Sequence, residues 1–264
     1  MTLWLRYSHQ GRTGFGTLDD DHVAVHDGSM LDAPRPTGQR LPLAAVQLLT
    51  PCEPRQMVGL WNNYGQLAEK MGYARPEAPL WFLKSPSSFN PSGAPIPAPR
   101  VDVGKVVYEG ELGVVIGRRT AGVSEAEAAA HIFGYTCVND VTAIDLLQAD
   151  PSFPQWARAK GLDGFGCFGP VISTTPPPPD AEVVVALNGR ERQRYPIADM
   201  LIPPARLVSL LSRELTLLPG DVIACGTSLG VLPMRPGTTV TVTIAGIGTL
   251  ANVYAPADAA APAA

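Results

Sequence analysis

The sequence predicts a mainly β, mixed α+β fold, and three observations carry that prediction. The 264 residues include 26 Gly and 27 Pro, high for a helical protein, among many Val- and Thr-rich runs. Asn188-Gly189 stands between two runs of strand composition, a strong short-range signal for a type I′ hairpin. Helical spacing occurs only in short stretches. A chain of this length, 45% hydrophobic and 17% charged, can bury a substantial core.

From the N-terminus, residues 3–7, 14–18 and 22–26 are short strands, with turn chemistry at Asp19-Asp20-Asp21 and Asp27-Gly28. Residues 43–49 suit one or two helical turns, and Thr50-Pro51-Cys52-Glu53-Pro54 is a linker. The chain thus divides into a small N-terminal β domain over residues 1–52, a larger domain over 53–255 and a flexible, Ala- and Pro-rich tail over 256–264. Residues 57–60 are an apolar strand that empties into Trp61-Asn62-Asn63-Tyr64-Gly65-Gln66. Such a segment either lines a pocket or is an Asn-rich turn. A short helix over 67–71 is stopped by Gly72. Residues 79–86 form an apolar strand with a charged end at Lys84, and 90–99 a Pro-rich loop.

Ser124-Glu125-Ala126-Glu127 is a capping box, opening a helix that runs to about residue 132. Residues 135–138 are a strand ending in Asn139-Asp140. Residues 150–168 form a polar loop carrying Trp156, Arg158, Lys160 and Asp163, and 170–175 a strand. Residues 182–187 and 192–195 flank the Asn-Gly turn. Leu207, Leu210 and Leu211 mark a helix within 204–214, residues 221–225 a strand, and 238–244 with 248–253 a final hairpin.

A net charge of −4 and a pI near 5.6 argue against a nucleic-acid or anionic-membrane partner. No signal peptide and no apolar run of ~18 residues is seen, so a soluble cytoplasmic protein is expected. Cys52, Cys137, Cys167 and Cys225 form no C-x-x-C pair and suggest neither zinc nor a disulfide framework.

The strand over 108–116 contains an electrostatic problem. It is apolar and rich in Val, yet holds Glu109 and Glu111 at i and i+2, which points both carboxylates to one face. Close like charges in a low dielectric call for protonation, a cationic partner or a divalent metal ion; the other reading is a solvated face. Asp140, at the end of another apolar strand, is a third acid. Three carboxylates suit a hard cation such as Mg²⁺ and leave positions open, while the lack of a nearby His or Cys disfavours zinc.

Two motif matches are rejected. Gly164-Phe165-Gly166-Cys167-Phe168-Gly169 fits the dinucleotide fingerprint, but Pro170 and a β-branched run follow where a helix is needed. Gly226-Thr227-Ser228-Leu229-Gly230 fits the nucleophile elbow, but Pro233 and Pro236 prevent the helix. The last histidine, His131, precedes the serine, so the hydrolase order cannot be completed.

Several motifs in order resemble the fumarylacetoacetate hydrolase superfamily from about residue 56 to 253. They are Tyr108-Glu109-Gly110-Glu111-Leu112, Val138-Asn139-Asp140-Val141-Thr142, Lys160-Gly161-Leu162-Asp163, Asn188-Gly189 with Gln193, and Leu218-Pro219-Gly220-Asp221 with Gly226-Thr227. The resemblance implies a β-roll catalytic domain over 53–255 and a homodimer. It implies a Mg²⁺ (or Mn²⁺) site formed by Glu109, Glu111 and Asp140. Substrates of the family are 2-oxo or enol acids, typically dicarboxylates. Its reactions, isomerisation, decarboxylation and C–C hydrolysis, share a metal-stabilised enolate. Lys160 would add a catalytic positive charge, Thr227 would hold a substrate carboxylate, and Gln193 would either reach the distal end of the substrate or serve the hairpin structurally. Tyr64 and Gln66 are further candidate substrate contacts.

The chain departs from the resemblance at two places. Hydrolytic members carry a histidine base and a paired glutamate where this chain has Gly65 and Ala68; Gly164 likewise replaces a threonine. The expectation is therefore a metal-dependent isomerase or decarboxylase of a small-molecule 2-oxo or enol acid. The alternatives are a C–C hydrolase with another base, such as Tyr64, Gln66 or Glu69, and a degraded member that only binds metal and an acid.

Overall fold

The structure, a computed structural model, describes residues 1–256. All but the first residue of the tail expected over 256–264 lies outside the described residues. The fold is mainly β, as the sequence predicts. A twelve-stranded sheet and a five-stranded sheet bury the main core between them.

Leu3–His9, Arg12–Asp19, His22–Ser29 and Ala33–Pro42 form an antiparallel meander. The first of these then pairs with Gly166–Ser173, placing Trp4 opposite Ile172. The sheet continues through Ile132–Asp140, Gly110–Ile116, Val222–Ala224 and Met57–Trp61, and ends at Leu80–Lys84. One sheet thus spans both sequence regions.

The five-stranded sheet is built on strict alternation. In Thr239–Ile244, Val240, Val242 and Ile244 are buried and the threonines between them are not. In Glu182–Leu187, Val183 and Val185 face the same core. The hairpin to Arg190–Pro196 turns at Asn188 and Gly189, with φ of 48° and 76°, the left-handed pair a type I′ turn requires. On the far face of the large sheet, Trp4, Met57, Val115, Val138, Phe168 and Val222 form a second core cluster.

Four expectations change. Residues 43–49 are a 3-10 turn, Leu43–Ala45, followed by a short strand, Gln47–Leu48. Ala33–Pro42 is a strand that sequence reading misses because of Pro34, Pro36 and Gly38; its place at the edge of the sheet tolerates them. The Pro-rich loop holds two short strands, Phe89–Asn90 and Pro95–Ile96. The polar loop over 150–168 contains a helix, Trp156–Lys160, and the start of Gly166–Ser173. The four cysteines are buried and free. Among the described residues no helix is long and apolar enough to cross a membrane.

Candidate active site and metal centre

The site begins where a strand breaks. Residues 105–116 divide into Val106–Val107 and Gly110–Ile116, with Tyr108 and Glu109 between them. In the second piece Leu112, Val114 and Ile116 pack into the main core, while Glu111 shares the other face with Val115. The neighbouring strand brings Asp140 alongside. Glu111 pairs with Val138, and the Asp140 amide donates to the Glu109 carbonyl at 2.9 Å. Carboxylate oxygens of Glu109, Glu111 and Asp140 all lie within 4.8 Å of one another. Gly110 permits the two sheets to approach here, because a Cβ would collide with Val185 Cγ2.

Two ammonium groups enter the cluster. Lys160 ends the helix Trp156–Lys160 and is buried. Its Nζ donates to Glu109 Oε2 at 2.6 Å and to Asp140 Oδ2 at 2.7 Å. Lys84, fully buried, donates to Asp140 Oδ1 and to the Lys160 carbonyl, both at 2.5 Å. It fixes the carboxylate and the end of the helix together. Sequence reasoning misses Lys84, which stands at the end of an apolar run with no alternation to orient it. Leu80–Lys84 shares Phe82 and Lys84 on one face by its two-residue period, but only the structure shows that face to be the buried one.

Three carboxyl groups face two ammonium groups, and Glu111 is the one left without a cationic partner. Its Oε2 accepts from the Gly226 amide at 2.8 Å; its Oε1 is buried with no partner. Burial, and then the charges of Asp140 and Glu109, push its carboxyl well above the usual range. Burial also raises Glu109, against the pull of Lys160. At Asp140 burial acts in the same sense, but Lys160 and Lys84 outweigh it and hold the carboxyl below its usual range. Burial works against the Lys160 ammonium, yet Asp140, Glu109 and Glu111 together keep it firmly protonated. At Lys84 burial wins over Asp140, and its affinity for the proton is lowered. An orphaned buried oxygen within an all-oxygen donor set fits a hard divalent cation better than zinc.

The cluster opens into a cavity of about 390 Å³. Glu109, Lys160, Thr227 and Ser228 line its polar end. The loop carrying the last two is pinned. The Thr227 hydroxyl donates to the Gly110 carbonyl at 3.0 Å, and the Tyr108 hydroxyl to the Gly230 carbonyl at 2.6 Å. Gln193 donates from Nε2 to Thr227 Oγ1 at 2.8 Å and to the Ser228 carbonyl at 2.9 Å, and its Oε1 accepts from the Gly110 amide at 3.3 Å. Both ends of this amide are engaged inside the protein, so in this structure Gln193 holds the loop and does not line the cavity. Ser228, whose buried Oγ has no partner, escapes sequence reasoning because it sits in the rejected elbow match.

Tyr64 and Gln66 also lie away from the cavity. Tyr64 is buried against Tyr195, ring centroids 4.7 Å apart, and Gln66 is exposed. The helix Gly65–Met71 turns Leu67 and Met71 toward the cavity, whereas Gly65, Gln66 and Glu69 line a separate depression beside Asp199. The histidine position is filled from another direction. Asp199 Oδ2 accepts from the Gln66 amide at 2.9 Å, and a Cβ on Gly65 would lie 2.8 Å from Asp199 Oδ1. Among the described residues no histidine lines the cavity.

A mainly β fold with an all-oxygen acid cluster beside a mixed polar and apolar cavity defines the class: a small-molecule site able to hold a divalent cation. Residues 56–254 match the family described as fumarylacetoacetate (FAA) hydrolase C-terminal, and residues 3–51 the one described as Rv2993c-like, N-terminal. The chain belongs to the fumarylacetoacetate hydrolase family. The structure of 5-carboxymethyl-2-hydroxymuconate delta-isomerase from Mycobacterium smegmatis is similar at 38% identity and a TM-score of 0.88, covering 97% of this chain and 99% of that one. Oxaloacetate tautomerase YisK of Bacillus subtilis is 36% identical over 210 residues, 75% of this chain and 69% of that protein. Fumarylpyruvate hydrolase from Pseudomonas aeruginosa, solved with Mn²⁺ and pyruvate, is 28% identical with a TM-score of 0.71, covering 79% of this chain and 91% of that one.

Proposed function

We propose that the protein is a Mg²⁺- or Mn²⁺-dependent enzyme that isomerises or decarboxylates a 2-oxo or enol acid. One observation carries this reading: Glu109, Glu111 and Asp140 converge with Lys160, and Glu109 and Lys160 line a cavity that, among the described residues, no histidine lines. The delta-isomerase and tautomerase relatives support the reaction class, and the hydrolase holding Mn²⁺ and pyruvate supports the pairing of ion and 2-oxo acid.

A divalent cation held by the three carboxylates supplies Lewis-acid stabilisation of charge developing on the oxo oxygen. Lys160, kept protonated by its carboxylate neighbours, offers a fixed positive charge and a hydrogen-bond donor rather than a base. Thr227 and Ser228 border the space for a substrate carboxylate, and the pinned loop keeps them there. Leu67 and Met71 occupy the cavity face of the helix that begins at Gly65, so that face carries no group to activate water. Isomerisation and decarboxylation need no activated water, which favours them over C–C hydrolysis.

The test is turnover of oxaloacetate, acetylpyruvate and phenylpyruvate, with EDTA and after readdition of Mg²⁺ or Mn²⁺. Tautomerisation or decarboxylation that is lost with EDTA and restored by the ion is expected. Turnover that survives Glu109→Ala with Glu111→Ala overturns the metal requirement. Acetylpyruvate cleavage outpacing both overturns the preference against hydrolysis. Stoichiometric Mn²⁺ binding without turnover of any of the acids leaves a binding protein. The reading includes a homodimer, so sedimentation at twice the 27.9 kDa chain mass is expected, and a monomer would remove that part.

A further inference from the structure

The cavity that holds the acid cluster has a second end, and its chemistry selects what a substrate carries beyond its reacting head. Trp61, Leu67, Met71, Leu147 and Trp156 line it, and Phe82, whose ring centroid lies 5.0 Å from Lys160 Nζ, joins it to the polar end. The rings form one connected wall: Phe82 stacks on Trp156 at 5.2 Å, and Trp61 meets Trp156 edge-on at 6.2 Å. Among the described residues lining it, Lys160 is the only cation, and it is already paired with Glu109 and Asp140. Asn62, the one amide side chain in the lining, directs its Nδ2 to the Ala74 carbonyl at 2.9 Å. Arg158, on the helix that carries Lys160, is exposed and directed to Gln155.

A carboxylate carried into this end would leave water and meet no free cation, with only the neutral indole N–H groups of Trp61 and Trp156 as side-chain donors, which is unfavourable. An alkyl chain or an aromatic ring would lose apolar surface to the wall, which is favourable. The cavity volume, about 390 Å³, lies within the range of small-molecule sites, ~300–1,000 Å³. We propose that the preferred substrate is a 2-oxo monocarboxylate whose distal part is an apolar alkyl or aryl group, without a second carboxylate. This rests on the 2-oxo-acid reading of the polar end.

The test uses the full chain with Mg²⁺ and follows tryptophan fluorescence, since Trp61 and Trp156 form the wall. The ligands are 2-oxohexanoate, 4-phenyl-2-oxobutanoate, 2-oxoadipate, in which a carboxylate replaces the terminal methyl of the same six-carbon chain, and hexanoate, which lacks the oxo group. Both apolar oxo acids are expected to bind at least ~10-fold tighter than 2-oxoadipate. Met71→Arg, at an exposed position on the rim, is expected to narrow that ratio at least ~3-fold by supplying a cation, while Met71→Leu leaves it unchanged. Binding of 2-oxoadipate as tight as that of 2-oxohexanoate overturns the apolar tail and leaves the reading of the polar end standing. A ratio unmoved by Met71→Arg also overturns it, because the tail then lies elsewhere. Hexanoate binding as tightly as 2-oxohexanoate overturns the 2-oxo-acid reading itself, and this inference with it.

Discussion

Lys84 and Glu111 are both buried at the same cluster, and each answers burial differently. Lys84 finds Asp140 and the Lys160 carbonyl; Glu111 finds one backbone amide and keeps an oxygen without a partner. Lys84→Met removes one side of a buried ion pair and is expected to cost ~3–5 kcal/mol, read from denaturant unfolding. A loss as small as that of an exposed pair would mean that Lys160 alone satisfies Asp140. Glu111 makes a prediction about pH. Its raised carboxyl holds a proton that a cation must displace, so lowering the pH favours the proton. Mn²⁺ affinity is therefore expected to fall as pH falls, with proton release on binding, measurable by calorimetry in buffers of different ionisation enthalpy. Glu109, Glu111 and Asp140 are legible in the sequence because a carboxylate within an apolar run is conspicuous. Lys84 is not, because a lysine at a strand end ordinarily extends into solvent.

At the scale of elements, the helix Gly65–Met71 explains why a missing histidine is not a simple vacancy. Asp199 arrives from a distant segment to accept from the Gln66 amide, and its Oδ1 takes the space a side chain on residue 65 would need. Gly65→Ala is therefore expected to lower the melting temperature by ~2–4 °C, about 1 kcal/mol in a chain of this size. In an Asp199→Ala background the penalty should largely vanish; equal losses in both backgrounds would contradict the clash. The loop following Val222–Ala224 shows a similar long-range dependence. Thr227 is readable as a candidate, but Gln193, which shares its motif family, works by tying that loop to Gly110. The hairpins, the capping box at Ser124 and the Gly72 stop are legible because each depends on neighbours within a few residues. The helix Trp156–Lys160 is not, because five residues carry too little periodicity to register.

At the scale of the whole molecule, the division at residue 52 does not coincide with a break in the sheet. Leu3–His9 pairs with Gly166–Ser173, and Trp4 and Cys52 join the cluster containing Met57, Val138 and Phe168. Removing residues 1–52 would free the edge at Ile172 and Ser173 and uncover that cluster. The truncated chain is expected to bind a hydrophobic dye and aggregate, as light scattering would show; a soluble fragment that still binds Mn²⁺ would show that the larger region folds alone. By itself, the sequence determined the mainly β class, the turns, and the three acids with Lys160, because these rest on composition, period and short motifs. Only the tertiary structure decided that Lys84 joins the acids, that Tyr64 and Gln66 turn away, and that the far end of the cavity is apolar. Each of those depends on which surfaces distant segments bring together, and spacing along the chain does not encode that. The strand carrying Glu109 and Glu111 needs Asp140, Lys84, Lys160 and the loop at Gly226, all brought in by the sheet and its connections, before two like charges become one site.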